Sequence, residues 1–241
     1  MGDGSGTKER LLAAAGPLFA AQGFAATTMR EIADRGAVNL AAANYHFGSK
    51  KDLYVAVLRE QFALVRAELE RRGATPPPGR LDRLPRRELE ALLATRCRAM
   101  LEILIGPAPS LHGAHMQREL TDPTEALPVV LAEFIGPMFA EMASIIRHLE
   151  PTLGPDEVQR CVISCVAQVV FHRLAKPAVL GVLGATEYPA DFIPRAAAHI
   201  SEFSRGGLAR IGRLARANGN RPTARARRVR PSKQVSHAAQ S

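Results

Sequence analysis

Between Thr27 and Lys50 the chain gathers hydrogen-bond donors on little side-chain bulk: TTMREIADRGAVNLAAANYHFGSK. Thr28, Arg30, Asn39, Asn44, Tyr45, His46 and Lys50 can each donate to an oxygen, and Leu40, Ala41 and Ala42 lie among them. Donors of this kind meet phosphate oxygens and base edges. Lys50 follows Gly48-Ser49, where Gly breaks one helix and Ser caps the next. A cation at a helix N-terminus works against the helix dipole. An anion bound there removes the conflict, so open N–H groups and Lys50 read as a phosphate clamp, with Tyr45 and His46 as further donors. The alternative is a helical hairpin that binds nothing.

Two short helices must position these groups. Thr27 and Thr28 supply the N-cap of the first, and Glu31 stands where a capping box needs it. Met29, Ile32 and Ala33 give that helix its apolar face. Arg35-Gly36 ends it, with Gly36 expected in the left-handed C-cap conformation. Asn39 caps the second helix, Leu40 to about Tyr45, whose small residues let it lie close to something large. A helix-turn-helix sets its second helix into the DNA major groove in this way.

Residues Thr7 to Glu60 resemble the DNA-binding domain of TetR/AcrR-family repressors. LLAAAGPLFAAQGF, TTMREIA and YHFGSKKDLY carry the likeness. The resemblance implies that Arg30 reaches a base, that Leu40, Ala41 and Ala42 face the groove, and that Thr28, His46 and Lys50 hold phosphates. Two positions depart from the family pattern. The turn reads Gly-Ala-Val where Ala-Gly-Val is usual, and Asn44 replaces a common Tyr. Asn can make two bonds to adenine or one to phosphate.

The 241 residues suffice for one large or two small domains. Abundant Ala, Leu, Val and Arg and the absence of Trp favour helix over sheet. No uninterrupted apolar run reaches the length of a membrane span, and the first ten residues lack a signal-peptide core. An odd cysteine count of 3 agrees with a reducing compartment, so a cytoplasmic location is expected. The net charge of +9 is concentrated: Arg216, Arg221, Arg225, Arg227, Arg228, Arg230 and Lys233 lie in a final stretch without acids. Such a tail is expected to be disordered and suited to sequence-independent phosphate contact, or merely solvated.

Four regions follow: a disordered N-terminus at 1–6, a helix-turn-helix head at 7–54, a body at 55–217 and a disordered basic tail at 218–241. Thr7 is expected to cap helix one, with a kink at Pro17 and an end at Gly23. Phe24 and Phe47 should plug the small head core. Lys51 to about Arg72 is a long helix crossing from head to body, suited to act as a lever. GATPPPGRLDRLP is a linker. Helices are expected over 86–105, 110–120, 125–150 with a bend at Gly136-Pro137, 156–175 and 191–217. Gly206-Gly207 should let two helices approach closely.

The body resembles the regulatory domain of the CecR-like branch of the same family. QRELTDPT, VAQVVFHRLAKP and HISEFSRGGL carry this narrower likeness. It implies that Gln117, Arg118 and Glu119 lie near a regulatory cavity. Met and Phe suit adaptable apolar pockets, and the expected lining is Met100, Leu104, His115, Arg118, Phe134, Met138, Phe139, Met142, Val170 and Phe171. His112, His115 and Glu119 have spacing that can hold a metal, but no Cys or Asp stands beside them, so no metal and no cofactor is expected. Cys161 and Cys165, one turn apart, are read as buried structural thiols. His172 and Arg173 complement the dipole at a helix end. No catalytic fingerprint is present.

The expected protein is all-α: a three-helix head and a helical ligand-binding and dimerisation body. It is read as a homodimeric repressor that binds palindromic double-stranded operator DNA and is released by a small effector, with no membrane partner. The dimer seam is expected on the 156–175 and 191–217 helices, through Cys161, Cys165, Val169, Ile200, Phe203 and Leu208. The alternatives are an activator, a regulator driven by a protein partner, and, last, an all-α enzyme.

Overall fold

A computed structural model describes residues 3–77, 79–106, 111–217 and 219, with side chains from Gly6 onward. Every regular element among the described residues is helical. The sequence's caps account for the first four. Helix α1 is Asp3–Ala26, α2 is Met29–Arg35, α3 is Leu40–Phe47 and α4 is Lys50–Arg71. Thr28 Oγ1 accepts from the Glu31 amide at 3.1 Å, Asn39 Oδ1 from Ala42 at 2.6 Å and Ser49 Oγ from Asp52 at 3.1 Å. Each bond satisfies an N–H that the helix start leaves without a partner.

Several expectations change. Residues 3–6 are helical, so Thr7 lies inside α1 and does not cap it. The non-helical backbone in α1 falls at Gly23 (φ 85°, ψ 173°) and not at Pro17. In the turn, Gly36 is right-handed (φ −79°), and the positive φ of 50° belongs to Ala37. Gly36 is needed for space: an added Cβ would lie 3.2 Å from the Ile32 carbonyl and 3.3 Å from that of Arg10. The expected tail, apart from Gly219, lies outside the described residues.

The body contains α5 (Arg86–Ile105), α6 (Leu111–Thr121), α7 (Leu127–Val130), α8 (Gly136–Leu149), α9 (Pro155–Leu174), α10 (Lys176–Leu183) and α11 (Phe192–Ala217). The expected bend at Gly136-Pro137 is absorbed by a π turn, Leu131–Ile135, joining α7 to α8. The Gly136 amide donates to Leu131, five residues back, and an added Cβ on Gly136 would meet that carbonyl at 2.9 Å. The chain therefore runs helical from Leu127 to Leu149, and these 23 residues are long and apolar enough to cross a bilayer. Both acids of the segment are paired within the protein, Glu133 with Arg59 at 2.6 Å and Glu141 with Arg96 at 2.8 Å.

Two buried clusters hold the chain. One begins in the head with Leu11, Phe19, Ile32, Ala43, Phe47 and Leu53, then follows α4 through Phe62 and Leu69 to Phe134. The other joins α5, α8, α9 and α11 through Leu93, Leu101, Ile145, Val162 and Ile200. Phe24 packs on Phe19 and Tyr54 as expected of a head plug. The head is thus welded to the body along α4, because α4 buries one continuous apolar stripe.

Candidate functional site

The head presents α3 outward. Ala43 and Phe47 face the core, while Ala41, Asn44 and Tyr45 are exposed, Tyr45 by 85%. Leu40, Ala42 and His46 are half-buried, and the His46 ring stands edge-on to Tyr45. Arg30 and Thr28 on the neighbouring helix are also exposed. Capping occupies only acceptor capacity. Thr28 keeps its hydroxyl proton, and Asn39 keeps its amide NH2, for an outside oxygen.

Lys50 is placed otherwise than expected. Its Nζ donates to the carbonyls of Phe24 at 2.8 Å, Thr27 at 3.0 Å and Ala25 at 3.3 Å. It also lies 4.4 Å from the centroid of the Phe24 ring. The cation satisfies carbonyls at the end of α1, whose dipole is negative, and does not project from the start of α4. In the free head this cation is held by three backbone carbonyls.

A cavity of about 420 Å³ opens in the body between α5, α6, α8 and α9. Met100, Leu104, Phe134, Met138, Phe139, Met142, Val170 and Phe171 line it, as the sequence suggested. His115 and Arg118 do not. They sit on the opposite face of α6, toward the head. Arg118 Nε donates to the Ala20 carbonyl at 3.0 Å, and Nη2 donates to that of Ala21. Beside it, buried Glu119 accepts from the Tyr54 hydroxyl at 2.8 Å and from the Thr124 hydroxyl at 2.8 Å. Burial, then the bond to Glu119, raises the Tyr54 pKa. The cavity face of α6 carries His112, Gly113, Met116, Gln117 and Leu120. One short helix therefore touches both the cavity and the head.

Burial is also the main cause that lowers both α6 histidines to about pKa 4. The neighbouring His115 adds to the effect at His112. At His115 the Arg118 charge adds, and a backbone contact with Gly16 opposes. Among the described residues no three His, Cys, Asp or Glu side chains are placed to hold a metal. The cysteines are buried, which pushes all three thiols up, Cys97 to about 12. They are poor nucleophiles there. Among the cavity residues that the sequence reading did not place there, two are charged. Arg96 is 1% exposed and ion-paired to Glu141. Arg173, read only as a helix end, reaches the cavity and lies against Gly113.

Residues 11–57 match the family described as bacterial regulatory proteins, tetR family. Residues 86–208 match the C-terminal domain of the HTH-type transcriptional dual regulator CecR. CecR of Shigella flexneri is 36% identical over 195 residues, covering 77% of this chain and 83% of that protein. The chain belongs to the TetR family. Two solved structures share the all-α TetR fold: a TetR-family regulator from Mesorhizobium loti and a transcriptional regulator from Rhodococcus. The first is 13% identical (TM-score 0.56, 88% of this chain and 98% of that one), the second 20% identical (TM-score 0.56, 83% and 96%). This TetR-family chain is therefore a transcriptional regulator.

In this TetR-family regulator the expected seam residues mostly turn inward. Cys161, Cys165, Val169, Ile200 and Leu208 are each at most 5% exposed and pack inside the protomer. Periodicity had located an apolar face on each helix, but it was the protomer's own core face. Phe203 alone of the six is exposed. The outward faces carry Phe171 on α9 and Phe203, Gly206, Gly207 and Leu214 on α11. An added Cβ at either glycine would meet nothing within 4 Å.

Proposed function

We propose that this regulator is a cytoplasmic repressor that binds a palindromic operator as a homodimer and releases it when a small effector enters the body cavity. The observation that carries the reading is α6, which holds cavity residues on one face and the head-binding pair Arg118 and Glu119 on the other. An effector that moves α6 shifts the end of α1 through Arg118 and the start of α4 through Glu119 and Tyr54. A differential affinity of about 1–3 kcal/mol between two arrangements changes DNA affinity five- to 150-fold.

Exposed Arg30, Ala41, Asn44 and Tyr45, with Leu40 and Ala42 beside them, would enter the major groove. Thr28, Asn39 and His46 would meet the backbone. A single head reads few base pairs, so two heads must reach successive grooves about 34–36 Å apart. The apolar stripe of Phe203, Gly207 and Leu214, with Phe171 beside it, would join the two protomers. Its glycines allow close helix approach.

Selection of random duplexes by the full chain, followed by footprinting, tests this reading. The expected outcome is two inverted half-sites one helical turn apart. Arg30→Ala should relax discrimination at one position by about 1–3 kcal/mol. A single or unsymmetrical site, or unchanged discrimination, would refute it. A second reading, regulation in both directions, is favoured by the designation of CecR as a dual regulator. Transcription from the selected site with and without the protein separates the two.

A further inference from the structure

Besides Arg96 on α5, the polar side chains of the cavity wall are Arg173 on α9 and, on α6, the near neighbours of Gly113, His112 and Gln117. Arg173 lies against Gly113: an added Cβ there would sit 3.5 Å from its Nε and 3.6 Å from its Cζ. His112 is the adjacent residue, and Gln117 follows one helical turn later on the same face. All three line the cavity.

The two arginines of the wall differ in one respect. Arg96 has a protein counter-charge: Nη2 pairs with Glu141 at 2.8 Å, and Nη1 donates to the Ala74 carbonyl at 2.9 Å. Arg173 pairs with no carboxylate among the described residues, and its buried Nε has no hydrogen-bond acceptor. A guanidinium cannot shed its proton to escape this situation. The end of α9 contributes about half a negative charge, yet it accepts no bond from Nε. Glu119, the one acid on α6, is engaged by Tyr54 and Thr124 on the opposite face. His112, which also lines the cavity and packs its ring on Phe134, is only 2% exposed, and its Nδ1 also lacks a partner. Buried polar atoms are nearly always satisfied. His115 and His172 also carry unmet ring nitrogens, but Arg173 is a permanent charge on a cavity wall without a carboxylate partner among the described residues, and that points to a partner from outside the chain.

We propose that the effector is a hydrophobic acid: its carboxylate pairs with the Arg173 guanidinium, with His112 Nδ1 as a second polar contact, and its apolar body lies on Met100, Phe134 and Met138. The proposal rests on the ligand-responsive reading above and names the chemical class of its ligand. A carboxylate suits the site because its two oxygens match the planar fork of Arg. The wall's other charge, Arg96, is already paired with Glu141, and the residues that would meet the rest of the ligand are apolar. An ammonium group would meet Arg173 without a counter-charge and should be rejected.

The test uses the full-length protein near neutral pH and measures binding by calorimetry and melting shift. The probes are decanoate, naphthoate and biphenylcarboxylate, each beside the primary amide and the primary amine of the same skeleton. The expected result is an acid that binds at least about tenfold more tightly than its amide, with no binding of the amine. Arg173→Gln should abolish the preference by weakening the acid alone. Arg173→Met should do the same, and unchanged amide affinity would show that both variants keep the cavity intact. Equal binding of acid and amide, or a preference that survives both substitutions, would overturn the proposal. Binding of amides or amines without acids would overturn the acid and leave a ligand-responsive regulator standing. Binding by no member of the series would overturn both.

Discussion

The head and the cavity end of the body treat polar groups in opposite ways. In the head, each capping side chain and the one inward-reaching cation meet protein partners: Thr28, Asn39 and Ser49 close helix starts, and Lys50 closes a helix end. In the body, His112 Nδ1 and Arg173 Nε are buried without a partner. The head is a finished scaffold, and it needs only an outside surface to bind DNA. The cavity end leaves these two buried nitrogens unmet, and on the proposed reading an effector would complete it. The difference shows where a regulator of this build can be rigid and where it must respond.

The comparison can be broken most decisively with acid. Burial holds His112 and His115 near pKa 4, below the usual 6.5 of an unfolded histidine. The unfolded chain therefore binds more protons between those values. The stability these groups contribute is complete above about pH 6.5 and is lost as pH falls toward 4, by up to roughly 3 kcal/mol for each. Melting temperature should drop through that window, and it should drop less in a His112→Phe/His115→Leu double variant. Parallel profiles for the two proteins would contradict it.

A smaller effect is expected in the head. Lys50→Met keeps the stem but strips three carbonyls of their donor. It should cost about 2 kcal/mol, a fall of roughly 4–8 °C in melting temperature. The salt dependence of DNA binding by the folded fraction should be unchanged. A slope reduced by about one would return Lys50 to a phosphate. The smallest effect is a gain. Ala37 holds a left-handed φ of 50°, which costs an alanine about 1–2 kcal/mol. Glycine relieves this at some cost in chain entropy. Ala37→Gly should therefore raise the denaturant midpoint by a net stabilisation of about 0.5 kcal/mol, with DNA affinity unaltered.

What could be read in the sequence was local. Thr28, Asn39 and Ser49 announce their helices because a cap is decided within three residues. Part of the cavity wall was legible because Met and Phe recur along the helices that form it. Lys50 was misread because its acceptors lie more than twenty residues away, at the end of another helix. The seam was misread because Cys161, Cys165 and Leu208 mark an apolar face without saying which neighbour covers it. Arg173 was invisible as a cavity residue. A basic side chain in a last helical turn has a sufficient local explanation, and only the packing of α9 beside α6 brings it to Gly113. Arg118 was placed in the right region but on the wrong side, since one helix there serves two neighbours.

That double service sets a mechanical limit. A helix with its side chains is about 10 Å across, so on the proposed ligand-responsive reading α6 would work as a roller with the pocket on one rim and α1 on the other. If it turns, the travel at Met116 and the travel at Arg118 are nearly equal and opposite in sense. Such a device has a gearing close to one. It does not amplify, so the size of the stroke delivered to the reading head is set by how far the occupant pushes, and a molecule too short to push leaves the output still.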